Sequence, residues 1–318
     1  MKNAEDTSRR EVTAEVLSIG DELLIGQTVN TNAAWIGEQL SLIGIRPVRT
    51  RVIGDDRQAI LEALATSVAD AVLITGGLGP TKDDITKHTL CTYFGTHLER
   101  RSDVEERIVG LFLSMGRRLE DIQEVNRAQA DLPKGCTVLP NTRGTASGMW
   151  FERDGRVFLS MPGVPYEMKG ILMDNGLRML QERFAPPAIV HRTVLTAGLG
   201  ESLLAQRIEA WEDSLGPLGI KLAYLPSPGV VKLRLSTYAN QDAGEASGRV
   251  DRKAEELYGL IPELIFGEGD ASLERSVGAM LRAKGQTLAL AESCTGGYLS
   301  HLITSIPGSS AYFIGGVV

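Results

Sequence analysis

The residues best able to do chemistry lie in one stretch, Thr75-Gly-Gly-Leu-Gly-Pro-Thr-Lys-Asp-Asp-Ile-Thr86. Gly76, Gly77 and Gly79 let backbone N–H groups approach an anion with no Cβ in the way, and a helix start just beyond adds the positive end of its dipole. A phosphate fits such a turn. Asp83 and Asp84 sit at the same helix start, however, and two carboxylates repel a phosphate unless a divalent cation lies between them. The combination points to a metal-assisted nucleotide site built around a divalent cation. The same residue types also make an ordinary turn with helix-capping aspartates, and spacing alone leaves both readings open.

The elements that must position this loop follow from periodicity. Ala71 to Thr75 is an apolar run that reads as a buried strand, and residues 85–94 carry apolar side chains at helical spacing. A turn between a parallel strand and a helix is where an α/β protein usually holds its ligand. Upstream, residues 14–20 read as a first strand that breaks into Asp21 and Glu22, either ligand-side acids or solvated turn residues. A helix over 33–44 follows, with Trp35, Ile36, Leu40 and Ile43 on its apolar face and Asn30 or Thr31 as its cap. Residues 46–53 form the next strand, with Arg49 and Arg51 on one solvated face, and Asp56 caps a helix over 58–68. Beyond the central loop come helices over 103–116 and 120–130, a strand over 137–140 and a small-residue loop, Asn141 to Gly148. A hairpin over 149–152 and 156–161 then enters a Gly/Pro loop and another helix. Repeated strand–loop–helix units predict a doubly wound, mostly parallel sheet with several strand ends facing one crevice.

Pro186-Pro187 marks a boundary. The order after it, strand, helix, strand, strand, helix, strand, is the split pattern of a small ferredoxin-like α+β domain. From Ser272 a third α/β segment begins: a helix over 273–283, a strand over 287–291, the loop Glu292-Ser-Cys-Thr-Gly-Gly297, another helix and a strand over 313–318. A segment of about this size is marginal as an independent core, so it is expected to be the start of a domain whose remainder is missing. The expected domains are 11–183, 188–268 and 272–318.

A net charge of −7 over 318 residues disfavours a general nucleic-acid binder. The three cysteines, Cys91, Cys136 and Cys294, form no paired motif, which argues against a disulfide framework or structural zinc. The histidines His88, His97, His191 and His301 do not cluster; His88, one turn after Asp84, either faces the crevice or is partly buried in a structural role. The chain begins with a polar, charged stretch unlike a signal peptide and has no apolar run long enough to span a bilayer, so a cytoplasmic protein without a membrane partner is expected.

Six stretches in order resemble the competence/damage-inducible protein CinA family: Ser18-Ile-Gly-Asp-Glu-Leu-Leu-Ile-Gly26 with Asn32, the 75–86 loop, Asn141 to Gly148, Met161-Pro-Gly-Val-Pro-Tyr-Glu-Met168, Gly198-Leu-Gly-Glu-Ser202, and Ala291-Glu-Ser-Cys-Thr-Gly-Gly297. The first domain is also similar to molybdopterin-binding proteins of the MogA and MoaB type, whose pattern carries an Asp in the position of Asp84 and another near Asp55. The resemblance implies metal-dependent hydrolysis of ADP-ribose to AMP and ribose 5-phosphate in the first domain, deamidation of nicotinamide mononucleotide in the last, and a homodimer. Asp84 and Asp83 are then the metal or water-positioning groups, with Asp21 or Glu22 completing the shell and Gly76, Gly77 and Gly79 on phosphate. Asn32, Thr145 and Ser147 are candidates for ribose or base contacts, or are simply turn residues. For the deamidase, the resemblance implies Ser293 as nucleophile with the Gly308-Ser309-Ser310 loop nearby and a lysine base downstream. No such lysine precedes Val318, so this chain is expected to lack the deamidase activity.

Overall fold

A computed structural model of the chain describes residues 11–79, 85–239, 243–269 and 271–318. The chain divides into two compact units, the first ending at Ala188 and the second starting at Ile189.

In the first unit, β1 (Val12–Ile19) leads through the short α1 (Asp21–Leu24) into α2 (Thr31–Leu42), then β2 (Ile45–Ile53), α3 (Arg57–Thr66) and β3 (Ala71–Thr75). Asn30 is the cap of α2, its side chain accepting from the Ala33 N–H, and Asp56 caps α3 through the Ala59 N–H. α4 (Thr86–Phe94), β4 (Leu98–Arg100) and α5 (Ser102–Ser114) follow. The single helix expected over 120–130 is instead a 3-10 turn, the one-turn α6 (Glu124–Arg127) and a second 3-10 turn. Asp121 accepts from the Arg118 N–H and closes the first turn, after which an extended Ile122 drives its side chain into the core at 5% exposure. β5 (Asp131–Pro133) pairs with β4 in a small antiparallel ribbon that periodicity did not signal. β6 (Thr137–Leu139), β7 (Gly148–Arg153), β8 (Arg156–Met161), α7 (Pro165–Ile171) and α8 (Leu177–Phe184) complete the unit, a π-helical turn joining the last two.

The main sheet has the order β2-β1-β3-β8-β7-β6, with β2, β1, β3 and β8 parallel and β7 and β6 antiparallel. Alternation sets its two faces. Val12, Ala14 and Val16 of β1 join Ala71, Leu73, Val157 and Leu159 under α2, α7 and α8, while Leu17, Ile19, Val72, Ile74 and Phe158 lie under α3, α4 and α5. Burial on both faces explains why β3 reads as an uninterrupted apolar run, and each buried Leu or Ile contributes about 1.5–3 kcal/mol. Glu15 is a charged residue buried on β1, with 1% exposure. Arg51, expected to be solvated, instead pairs with the Glu15 carboxylate, whose other oxygen takes the Ser67 hydroxyl at 2.8 Å. A buried carboxylate needs such partners, and the parallel pairing of β1 with β2 brings Arg51 beside it.

The second unit contains β9 (Ala188–Ala197), α9 (Glu201–Asp213), β10 (Lys221–Ser227), β11 (Val230–Ala239), α10 (Ala243–Leu260) and β12 (Ile265–Glu268), these four strands forming one sheet in the order β10-β11-β9-β12. Val231, Leu233 and Leu235 of β11 pack with Leu204, Ile208 and Trp211 of α9 and Val250, Ala254 and Leu257 of α10. α11 (Leu273–Ala283), β13 (Leu288–Ala291), α12 (Tyr298–Thr304) and β14 (Phe313–Val317) follow, and β13 and β14 make a two-stranded parallel pair. Among the described residues, no helix is long and apolar enough to cross a membrane.

Candidate functional site

A cleft of about 690 Å³ opens at the carboxyl ends of the four parallel strands. Its position follows from topology. β1 has β2 on one side and β3 on the other, so the chain reverses direction across the sheet there, and the loops after β1 and β3 part to leave a crevice.

The floor is the glycine turn. Gly76 has φ +113°, and a Cβ on it would stand 2.0 Å from the Ile19 carbonyl oxygen, so only glycine lets the β3 end lie against the β1 end. Gly77 (φ +64°) leaves room for the Thr86 hydroxyl, which a Cβ would approach to 2.1 Å. Thr86, the first residue of α4, donates its N–H to the Gly77 carbonyl at 3.3 Å and is fully buried, its hydroxyl without a hydrogen-bond partner among the described residues. Gly76, Gly77 and Gly79 all line the cleft.

One wall is acidic. Asp21 and Asp55, at the ends of β1 and β2, are tied reciprocally: the Asp21 N–H donates to Asp55 Oδ2 at 3.1 Å and the Asp55 N–H to Asp21 Oδ1 at 3.3 Å. Gly54 makes room for this, because a Cβ there would meet Asp21 Oδ1 at 2.5 Å. Glu22 lines the same wall, its carboxylate folded over Gly20. Among the described residues, no three His, Cys, Asp or Glu side chains converge as a metal site. Asp83 and Asp84 lie outside the described residues.

The opposite wall comes from the Asn141–Gly148 loop and the start of α7. Arg107 of α5 reaches under this loop and donates to the carbonyls of Asn141, Gly144 (3.0 Å) and Thr145 (3.2 Å) and to the Ser147 hydroxyl (3.2 Å). Asn141 in turn donates to the Ala146 carbonyl at 2.8 Å and to Glu167 Oε2 at 2.6 Å. A Cβ on Gly144 would stand 2.2 Å from the Glu167 carboxyl, which therefore sits flush against the loop. Burial pushes the Glu167 carboxyl above its ordinary value, against the Asn141 hydrogen bond and the Arg107 charge, and burial also lowers the Arg107 guanidinium.

The residues singled out in the sequence separate into groups. Gly76, Gly77, Gly79, Asp21, Glu22 and Thr145 come together around the cleft. Asn32 and Ser147 are buried braces: the Asn32 amide donates to the Gly163 carbonyl at 2.7 Å and Thr75 Oγ1 at 3.2 Å, and Ser147 is held by Arg107. His88 is exposed on α4 and is not part of the cleft lining. Ser293 lies in the second unit, exposed in the turn after β13, where the Gly296 N–H donates to its carbonyl at 3.0 Å. Beside it Glu292 caps α12, taking the Leu299 and Ser300 N–H groups and the Ser300 hydroxyl, which holds its pKa down at about 2. The residues that sequence reasoning missed are Glu167 and Arg107. Glu167 had a signal, as a carboxylate inside the Gly/Pro loop at a strand end; Arg107, on an amphipathic helix, had none.

A second cavity of about 680 Å³ lies within the second unit, lined chiefly by apolar side chains including Phe266, Val277, Leu288, Tyr298, Leu302 and Ile303.

Residues 15–181 match the family model of a molybdopterin binding domain, residues 191–267 that of the damage-inducible protein CinA KH domain, and residues 270–318 that of the CinA C-terminal domain. A CinA-like protein from Cytophaga hutchinsonii is 44% identical over 309 residues, covering 96% of this chain and 73% of that protein. One from Flavobacterium psychrophilum is 46% identical over 308 residues with the same coverage. The crystal structure of the protein CinA, of unknown function, from Thermoplasma acidophilum is 34% identical and covers 52% of this chain and 98% of that one, with a TM-score of 0.47.

Proposed function

This chain belongs to the CinA family, and we propose that its first unit is a metal-dependent nucleotide pyrophosphatase that hydrolyses ADP-ribose to AMP and ribose 5-phosphate. The observation that carries the reading is the pairing of Asp21 with Asp55 beside a glycine turn that only glycine can form, at the switch point of the sheet. Splitting a pyrophosphate needs charge neutralised on two phosphoryl groups and a water in line, and a divalent ion supplies both. The donors at hand are carboxylate oxygens, which suit a hard ion of the Mg or Co class. Asp84 and Asp83 would hold it, with Asp21 or Glu22 completing the set and the Asp55 main-chain N–H holding Asp21 Oδ1. The Gly76 N–H is given to the Met161 carbonyl at 3.1 Å, so the turn would take phosphate oxygens through the Gly77 N–H, with Gly76 and Gly79 lining the approach. Thr145 would reach the sugar, while Asn32 and Ser147 keep the strand ends and the loop in place.

In the same reading the chain holds three domains, 11–183, 188–268 and 272–318, the middle one a ferredoxin-like βαββαβ unit. The match of residues 15–181 to a molybdopterin binding domain favours a second reading, a cleft that binds a pterin and adenylylates its phosphate. Product analysis separates the two. The first predicts AMP and ribose 5-phosphate from ADP-ribose in Mg²⁺ or Co²⁺ and none in chelator. Adenylylated molybdopterin from ATP, with ADP-ribose left intact, would overturn it.

A further inference from the structure

We propose that Glu167 is the residue by which this cleft recognises a cis-diol, accepting hydrogen bonds from the vicinal hydroxyls of a ribose whose phosphate lies on the Gly76–Gly79 turn. The inference rests on the nucleotide reading above and adds where the sugar sits. The order β2-β1-β3-β8 lays out the cleft in sequence: Asp55 and Asp21 at one end, the glycine turn in the middle, Glu167 at the other. Adjacent strands are about 4.8 Å apart, so the two ends stand roughly 14 Å from each other. A phosphate on the central turn with its counter-ion toward Asp21 therefore sends its sugar toward Glu167.

The carboxyl is built to receive neutral donors. Asn141 holds Oε2, Gly144 lets the group lie flat on the loop, and Arg107 spends its hydrogen bonds on that loop rather than on Glu167. Among the described residues, Oε1 takes no hydrogen bond, although Glu167 lines the cleft. An ionised carboxylate only accepts, so it repels a phosphate and is satisfied by hydroxyl or amine donors. A ribose cis-diol offers two such donors side by side, and both halves of ADP-ribose carry one. Burial has already raised the carboxyl's pKa, so donors from a ligand replace hydration that the fold has removed.

The test is calorimetric titration of the full chain, in Mg²⁺, with AMP and 2′-deoxy-AMP and with ribose 5-phosphate and 2-deoxyribose 5-phosphate, in wild type, Glu167→Gln and Glu167→Asp. Circular dichroism confirms that each variant is folded. The wild type should prefer the hydroxylated member of at least one pair by about tenfold or more, as expected for losing a hydrogen bond to a charged group. Glu167→Gln should reduce that ratio to below about threefold, and Glu167→Asp should restore part of it. An unchanged ratio in folded Glu167→Gln, no ratio in the wild type, or no binding of either pair overturns the inference. ADP-ribose hydrolysis is assayed in parallel. Hydrolysis with discrimination intact in Glu167→Gln rejects the diol contact and keeps the pyrophosphatase; discrimination lost without any wild-type hydrolysis does the reverse. If Glu167→Gln instead loses turnover and the basic or acidic limb of its pH–rate profile while keeping the ratio, the residue is a proton carrier and the diol role fails.

Discussion

The loops after β3 and after β13 share a local design: an apolar strand, a turn rich in glycine with acidic or hydroxyl side chains, then a helix. Their surroundings differ. β3 is buried along its whole length between β1 and β8, and its loop meets the ends of three other parallel strands. Among the described residues β13 pairs with β14, and it alternates between half-buried and exposed residues. In the first loop Gly76 is pressed against the Ile19 carbonyl and Gly77 against the Thr86 side chain, and carboxylates from the ends of β1 and β2 line the opening. In the second, Gly296 has open space around it and Glu292 is consumed in capping the next helix. The two cavities repeat the contrast, being of nearly equal volume but lined by acids and glycine turns in one unit and by Leu, Ile, Phe and Tyr in the other. In the first unit, neighbouring strand ends supply the polar walls of the site.

The sharpest way to break this comparison is to add a methyl group to each loop. Gly76→Ala must force a Cβ into the Ile19 carbonyl at a φ of +113°, and it should cost about 2–5 kcal/mol by urea unfolding. Gly296→Ala, with φ +58° and nothing within 4 Å, should cost only about 1–2 kcal/mol. Equal losses would mean that the first loop yields as easily as the second. Next in size are two arginines. Arg107→Ala strips three carbonyls and a hydroxyl of their donor and should destabilise the fold by about 2–4 kcal/mol while raising the KM for ADP-ribose. Arg282→Ala removes a guanidinium 5.9 Å from the Tyr312 ring centre and should cost at most about 1 kcal/mol.

The smallest effect separates the two glutamates by sign. Glu167 has its carboxyl raised by burial above 4.5, so the folded state is penalised at neutral pH and relieved as pH falls toward 4.5. Glu167→Gln should therefore raise Tm at pH 7, with the gain fading as the medium becomes acidic. Glu292 is lowered from 4.5 to about 2, so its contribution is present above pH 4.5 and is lost as pH falls through about 2. Glu292→Gln should lower Tm at pH 7, and that loss should vanish toward pH 2. Melting curves of both variants between pH 2 and 7 that shift in the same direction would contradict the assignment.

Much of this was legible in the sequence because it rests on short-range rules. The uninterrupted apolar run of β3, the Asp56 cap and the 149–161 hairpin are each set by a few neighbouring residues. What was not legible depends on contacts far apart in the chain. Arg51 reads as solvated until β1 places Glu15 beside it, and the sequence leaves Asn32 open between a ligand contact and a turn residue because it does not show the amide bridging Thr75 and Gly163. Glu167 acquires its character from Asn141 and Gly144, more than 20 residues earlier. The Glu120–Ala130 helix failed for a similar reason, since burial of Ile122 outweighs local helical preference.

The central claim is that the first cleft is a working metal-dependent nucleotide site. AMP release from ADP-ribose by the purified full chain, with Mg²⁺ or Co²⁺ and with chelator, measured beside Asp84→Ala and Asp55→Asn, tests it most directly. The account predicts release that requires the metal, falls by about 100-fold or more in folded Asp84→Ala, and falls less in Asp55→Asn, because the Asp55 carboxylate accepts from the Asp21 N–H while the Asp55 main-chain N–H that holds Asp21 Oδ1 survives the substitution. Release that is indifferent to chelator, or undiminished in folded Asp84→Ala, would contradict it.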